Sequence, residues 1–209
     1  MKKIISYIKR HKIRAILLFI VLVAYYFCLP EQLFNNPTAT VITSKNHELL
    51  GAQIAKDGQW RFPHNDSVPE KFKTCIVQFE DEYFYKHPGF NPISIFKALS
   101  YNFKSGKVKR GGSTLTQQVI RLSRKGQKRT YFEKIKELIL ATRLEFGTSK
   151  ENILSYYSSN APFGGNVVGL DAASWRYFNR NAKELSWAES AALAVLPNAP
   201  SLIYPGKNQ

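Results

Sequence analysis

Apolar residues recur at helical spacing from Ser67 almost to the end of the 209-residue chain, which leaves little room for any architecture but a mainly α-helical one. The spacing predicts helices over 68–85, 92–104, 114–124, 131–146, 149–159, 168–177 and 186–195, joined by loops that carry Gly, Pro and basic residues. At the first of these, Ser67 is suited to cap, Pro69 to a first turn, and Glu70 completes a Ser-x-x-Glu box. Phe72, Ile76, Phe79 and Tyr83 then fall on one stripe that should face the core. Glu80 lies four residues after Ile76, inside that stripe. Two readings of Glu80 are open: a buried carboxylate neutralised by a cation, or one made more basic by partial desolvation and placed for proton transfer.

Ahead of the helices, TATVIT and LLGAQIA between Thr38 and Pro63 predict a small β segment, with SKNHE and KDGQ as turns. It is too short to be a domain of its own. The N-terminus is basic, through Lys2, Lys3, Lys9, Arg10, Lys12 and Arg14, and then free of charge from Ala15 to Pro30. That run is short of the ~20 residues of a bilayer span, but Ile13 extends it and Arg14 can snorkel. A cleaved signal peptide is the alternative, against which bulky Tyr25, Tyr26 and Phe27 stand where small residues belong. The expected organisation is a cytoplasmic basic tail (1–12), one transmembrane signal anchor (13–30), an extended or β linker (31–66) and a helical domain (67–209) outside the cytoplasm. The exit LPNAPSLIYPGKNQ, punctuated by proline, suggests a sequence that stops early.

Lys and Arg outnumber Asp and Glu by 30 to 15, a net +15, so an anionic partner is expected: nucleic acid, acidic lipid or a phosphorylated substrate. Only Cys28 and Cys75 are cysteines, which gives neither a disulfide framework nor zinc spacing, and no residue cluster suggests a metal site. His87 reads as a hydrogen-bonded structural residue. The stretch KRGGSTLTQQVIRL, Lys109 to Leu122, places two glycines before a Thr114 cap with Gln117 at the box position. A helix start of this kind can cradle phosphate with free N–H groups, or be an ordinary capped helix. It lacks the Gly-Lys-Ser/Thr core of a nucleotide loop. Around it Lys104, Lys107, Lys109, Arg110, Arg121, Arg124, Lys125, Lys128, Arg129, Lys134 and Lys136 accumulate, with Glu133 the only acid. Such a run is either a solvated face or a diphosphate site, and with only Phe103, Tyr131 and Phe132 interleaved, nucleic acid is not expected. In RTYFEKIKELILATRLE, Tyr131, Ile135, Leu138 and Thr142 share one helix face, while Glu137 sides with Glu133, to pair with Lys134 or simply to be solvated.

In order along the chain, EDEYFYKHPGF, GGSTLTQQ and EKIKE followed by LATRLE resemble the signature motifs of the peptidoglycan glycosyltransferases, glycosyltransferase family 51. The resemblance continues through ENILSYYSSNAPFGGNVVGLDAASWRYF and LSWAESAALAVLPNAP, roughly Val68 to Tyr204. It implies a lysozyme-like helical glycosyltransferase domain on one membrane anchor, polymerising lipid II into glycan strands on the outer, periplasmic face of the cytoplasmic membrane. The implied partners are lipid II, the growing strand, membrane lipids and cell-wall synthesis proteins. By motif position Glu80 is the general base and Glu137 the second carboxylate. Lys97, Arg121, Arg129, Lys134 and Lys136 are the implied diphosphate cations, with Ser113, Thr114, Thr116, Gln117 and Gln118 on the donor side. No cofactor is required, a divalent cation (Mg or Mn) is at most stimulatory, and no protein-only metal cage is seen. The chain departs from the family at Glu133, commonly Arg, and at Ser158 to Asn160, typically Leu-Asn-Arg, which would alter the acceptor side. The bifunctional class A branch carries a transpeptidase domain beyond this point, whose Lys-Thr-Gly motif does not occur here. A lysozyme-like glycan hydrolase and a non-catalytic, membrane-anchored basic module are the alternatives.

Overall fold

A computed structural model describes residues 11–46, 48–106, 111–125, 127–128 and 130–198, apart from the side chains of Leu99 and Asn102. Arg129, named above as a diphosphate cation, lies outside the described residues, as do Lys107, Lys109 and Arg110. The chain divides into two compact units, 1–33 and 34–209.

In the first unit, helix α1 spans Lys12–Tyr26 and ends as Phe27 closes a last bond to the Val23 carbonyl. Fifteen residues at ~1.5 Å each rise ~22 Å, against ~30 Å of bilayer hydrocarbon. Among the described residues no helix is long and apolar enough to cross a membrane. The expected span over 13–30 is therefore a shorter helix, with Ile13 and Ile16 to Leu22 exposed.

The second unit begins with a hairpin of β1 (Thr40–Thr43) and β2 (Leu49–Gln53), antiparallel with a bulge between Ile42 and Thr43. A second small sheet orders β3 (Trp60–Arg61), β5 (Val167–Val168) and β4 (Pro162–Gly164), with β3 parallel to β5 and β4 antiparallel to it. This sheet ties the β segment to the helical body. The helices are α2 (Glu70–Glu80), α3 (Pro92–Ser105), α4 (Leu115–Ser123), α5 (Tyr131–Gly147), α6 (Lys150–Asn160), α7 (Leu170–Phe178) and α8 (Trp187–Val195). Side chains cap five of them: Asn91, Thr114, Thr130, Ser149 and Ser186, the last in a full capping box with Glu189. The box expected at α2 does not form. Pro69 takes the cap position without a side-chain bond, the Ser67 N–H donates to Asn65, and Glu70 pairs with Lys73.

The core is a continuous set of fully buried side chains that includes Phe72, Ile76, Phe84, Leu115, Ile120, Ile153, Leu154, Phe163, Leu185 and Leu193. Each contributes about 1.5–3 kcal/mol of hydrophobic stabilisation before entropy is counted. Two expected faces turn out differently. Helix α2 stops at Glu80 rather than at residue 85, so Tyr83 leaves the core stripe and is 39% exposed, while Phe79, still on the helix, is 48% exposed. On α5 only Ala141 and Leu144 are buried, while Tyr131, Phe132, Ile135 and Ile139 are exposed.

Candidate active site

Helix α2 ends at Glu80 because the next residue is pulled away by distant partners. Asp81, 7% exposed, accepts from the His87 Nε2 at 2.9 Å and from the Leu115 N–H at 3.0 Å. His87 Nδ1 in turn accepts from the Gly89 N–H at 3.2 Å, so the ring is neutral with its proton on Nε2. Gly89 has φ +91°, and a Cβ there would meet the Ala141 carbonyl oxygen at 2.7 Å, so only glycine lets this loop lie against α5. The Thr114 hydroxyl donates to the Gly89 carbonyl at 2.7 Å and accepts from the Gln117 N–H. Beneath this lies a second layer: Thr116 donates to Glu145, Glu145 accepts from Lys150 at 2.7 Å, and Lys150 donates to the His87 carbonyl at 2.8 Å.

Of the two readings of the start of α4, the structure shows the capped helix, with two of its N–H groups already in use. The Leu115 N–H already serves the Asp81 carboxylate, and the Gln117 N–H serves the cap. The anion at this helix start is the protein's own side chain.

What Asp81 anchors, Glu80 exploits. It protrudes from the last turn of α2 into a cavity of about 1160 Å³ and accepts a 2.7 Å bond from the Gln118 side chain. Burial pushes its carboxyl above the usual 4.5, and the Asp81 charge adds to this, while Gln118 and Arg121 partly offset it. The negative end of the α2 dipole acts in the same upward sense.

Cations line the same cavity: Lys97 from α3, Arg121 from α4, Arg124, Lys125 and Lys128 from the loop after it, and Lys134 from α5. Lys134 Nζ donates to Ser113 at 2.6 Å, to Gln117 at 2.8 Å and to Glu137 at 3.2 Å. The Lys134 pairing anticipated for Glu137 is thus present, with Glu137 on the cavity wall. Ser113, Thr114 and Gln118 also line it, Gly112 beside them passing within 3.0 Å, measured from an added Cβ, of the Ile95 backbone.

Three residues grouped with the site by motif do not reach the cavity wall. Thr116 is fully buried toward Glu145. Gln117 is buried behind Lys134 and acts through it. Lys136 turns outward, paired with Glu133 at 3.3 Å and lying 4.5 Å over the Phe132 ring. The Ser158 to Asn160 stretch is likewise off the cavity: Ser158 and Asn160 bond to carbonyls of their own helix, and Ser159 accepts from the Asn65 N–H. Conversely, Asn198 lines the cavity from the final 3-10 turn, Leu196–Asn198, where the sequence showed only a proline-rich exit. Among the described residues no group of three or more His, Cys, Asp or Glu could hold a metal ion.

The transglycosylase family matches residues 47–209. Penicillin-binding protein 1C of Escherichia coli (strain K12) is 42% identical over 179 residues, 85% of this chain and 23% of that protein. Penicillin-binding protein 1A of Clostridium tetani (strain Massachusetts / E88) is 33% identical over 178 residues, 83% of this chain and 22% of that protein. Penicillin-binding protein 1F of Bacillus subtilis (strain 168) is 30% identical over 194 residues, 91% of this chain and 27% of that protein. The chain therefore spans about a quarter of the length of these curated relatives.

Proposed function

The chain belongs to the transglycosylase family, and from that premise we propose that it polymerises lipid II into glycan strands for the bacterial cell wall. The observation that carries this is the shared cavity, lined both by a desolvated carboxylate, Glu80, and by a set of cations. Glu80 removes the proton from the acceptor sugar's 4-hydroxyl as that oxygen attacks C1 of the donor. Attack comes from the face opposite the lipid diphosphate, so the configuration inverts in one step and a β-1,4 bond forms. Negative charge then develops on the departing diphosphate. Lys134, Arg121, Arg124 and Lys97 are positioned to receive it, and preorganised cations of this kind lower the barrier because they need no rearrangement as the charge appears. Ser113, Thr114 and Gln118 position the donor, and Glu137 keeps Lys134 oriented. Arg129 is assigned to the same diphosphate by motif alone. A divalent cation such as Mg or Mn, were it to bind with the donor, would add to the charge neutralisation that Lys97, Arg121, Arg124 and Lys134 supply.

The substrate's lipid tail requires a nearby membrane. Exposed Ile93, Phe96 and Phe103 on α3 and Tyr131, Phe132 and Ile135 on α5 offer apolar contact to lipid. Such contact would hold the domain at the membrane surface, and a cell-wall reaction calls for the periplasmic side. Incubation of the purified chain with labelled lipid II tests the activity: long lysozyme-sensitive glycan is expected, and binding without polymer contradicts the proposal.

A further inference from the structure

Glu133 places a carboxylate among the cations that the proposed reaction needs. From the first turn of α5 it lines the cavity, its Oε2 2.8 Å from the Arg124 guanidinium and its Oε1 3.3 Å from Lys136 Nζ. Its side chain is 17% exposed and that of Arg124 26%, so the pair is shielded enough to matter yet open to a ligand. Lys136 faces away from the cavity, whereas Arg124 lines it.

We propose that Glu133 sets the affinity for the donor diphosphate by competing with it for Arg124. The inference rests on the donor reading given above. A guanidinium has five N–H donors, and the Nη2 group that lies 2.8 Å from Glu133 is one that a phosphate oxygen would also take. A diphosphate that enters the cavity takes Arg124 from Glu133, exchanging one anion for another at little further desolvation. The released Glu133 keeps Lys136 as its counter-ion and stays close enough to repel the ligand. Donor binding is weakened, and the lipid diphosphate product leaves faster for the same reason. Glu133 is thus an affinity-setting residue and takes no part in bond making.

The test is calorimetric titration of the full chain in detergent with magnesium-free inorganic pyrophosphate at fixed ionic strength. Wild type is compared with Glu133→Gln, Arg124→Ala and the double variant. Glu133→Gln keeps the size of the side chain and the backbone bond to the Thr130 cap. It is expected to bind pyrophosphate about fivefold more tightly, the upper range for a partly exposed ion pair. Arg124→Ala should bind more weakly, and in that background Glu133→Gln should gain much less, since the two residues act on one another. The KM for lipid II should fall in Glu133→Gln without a rise in kcat. Unchanged or weaker pyrophosphate binding by Glu133→Gln overturns the proposal, as does an undiminished gain without Arg124. Wild type that binds no pyrophosphate at all defeats the donor reading itself, a result distinct from failure of the Glu133 comparison.

Discussion

Asp81 and Lys134 are both charged, both border the cleft, and both make several polar contacts, yet they are built into the protein on different terms. Asp81 is 7% exposed and its partners are a buried imidazole and a backbone N–H 34 residues away. Lys134 keeps 43% of its side chain exposed and is ringed by a hydroxyl, an amide oxygen and a carboxylate, all on side chains. The first arrangement spends a charge on fixing the chain's path; the second leaves an ammonium oriented but open to a ligand. Catalysis in the proposed scheme needs both, because Glu80 is aimed by the rigid floor toward ligands held by the adaptable wall.

The comparison breaks most sharply at the floor. Asp81→Ala leaves the Leu115 N–H and the His87 ring without their partner, and is expected to cost about 3 kcal/mol of stability. A urea melt that shows wild-type stability would mean the network is dispensable. At the wall, Lys134→Ala should leave the melt almost unchanged and raise the KM for lipid II about tenfold, as loss of a charge-assisted contact does. Equal damage to stability and KM would erase the distinction between wall and floor.

A smaller effect concerns pH. Glu80 must be ionised to accept a proton, and its pKa is raised from 4.5 by burial, so kcat/KM should fall with decreasing pH through a value above 4.5. The sign for stability is opposite: a raised carboxyl pKa contributes stability that is full at low pH and is lost as pH rises through the folded value. Glu80→Gln should therefore be no less stable than wild type at pH 7. The smallest expected effect is that of Ser158→Ala, which removes only hydroxyl bonds to the Leu154 and Ser155 carbonyls and should change turnover by less than about twofold.

The seven helices described in the domain were legible because amphipathic periodicity and caps are local properties of the chain. The end of α2 was not, since it is decided by Asp81 bonding to Leu115 across 34 residues. Strands β4 and β5 are three and two residues long and carry no period to read. The Tyr131 and Ile135 stripe obeys the helical rule yet is exposed, because periodicity reveals an apolar face and not what covers it. In the site, motif membership grouped residues that the fold then separated. Gln117 and Gln118 are adjacent in sequence, but one is buried behind Lys134 and the other bonds to Glu80. Nothing in the sequence pointed to Asn198, which reaches the cavity only through the turn after α8.

The claim on which the account turns is that Glu80 accepts the proton in glycosyl transfer. Single-turnover polymerisation of labelled lipid II by Glu80→Gln, in protein whose melt and pyrophosphate titration match wild type, addresses it directly. The account predicts intact binding with the rate reduced by at least about 100-fold. Polymer formed at the wild-type rate would contradict it.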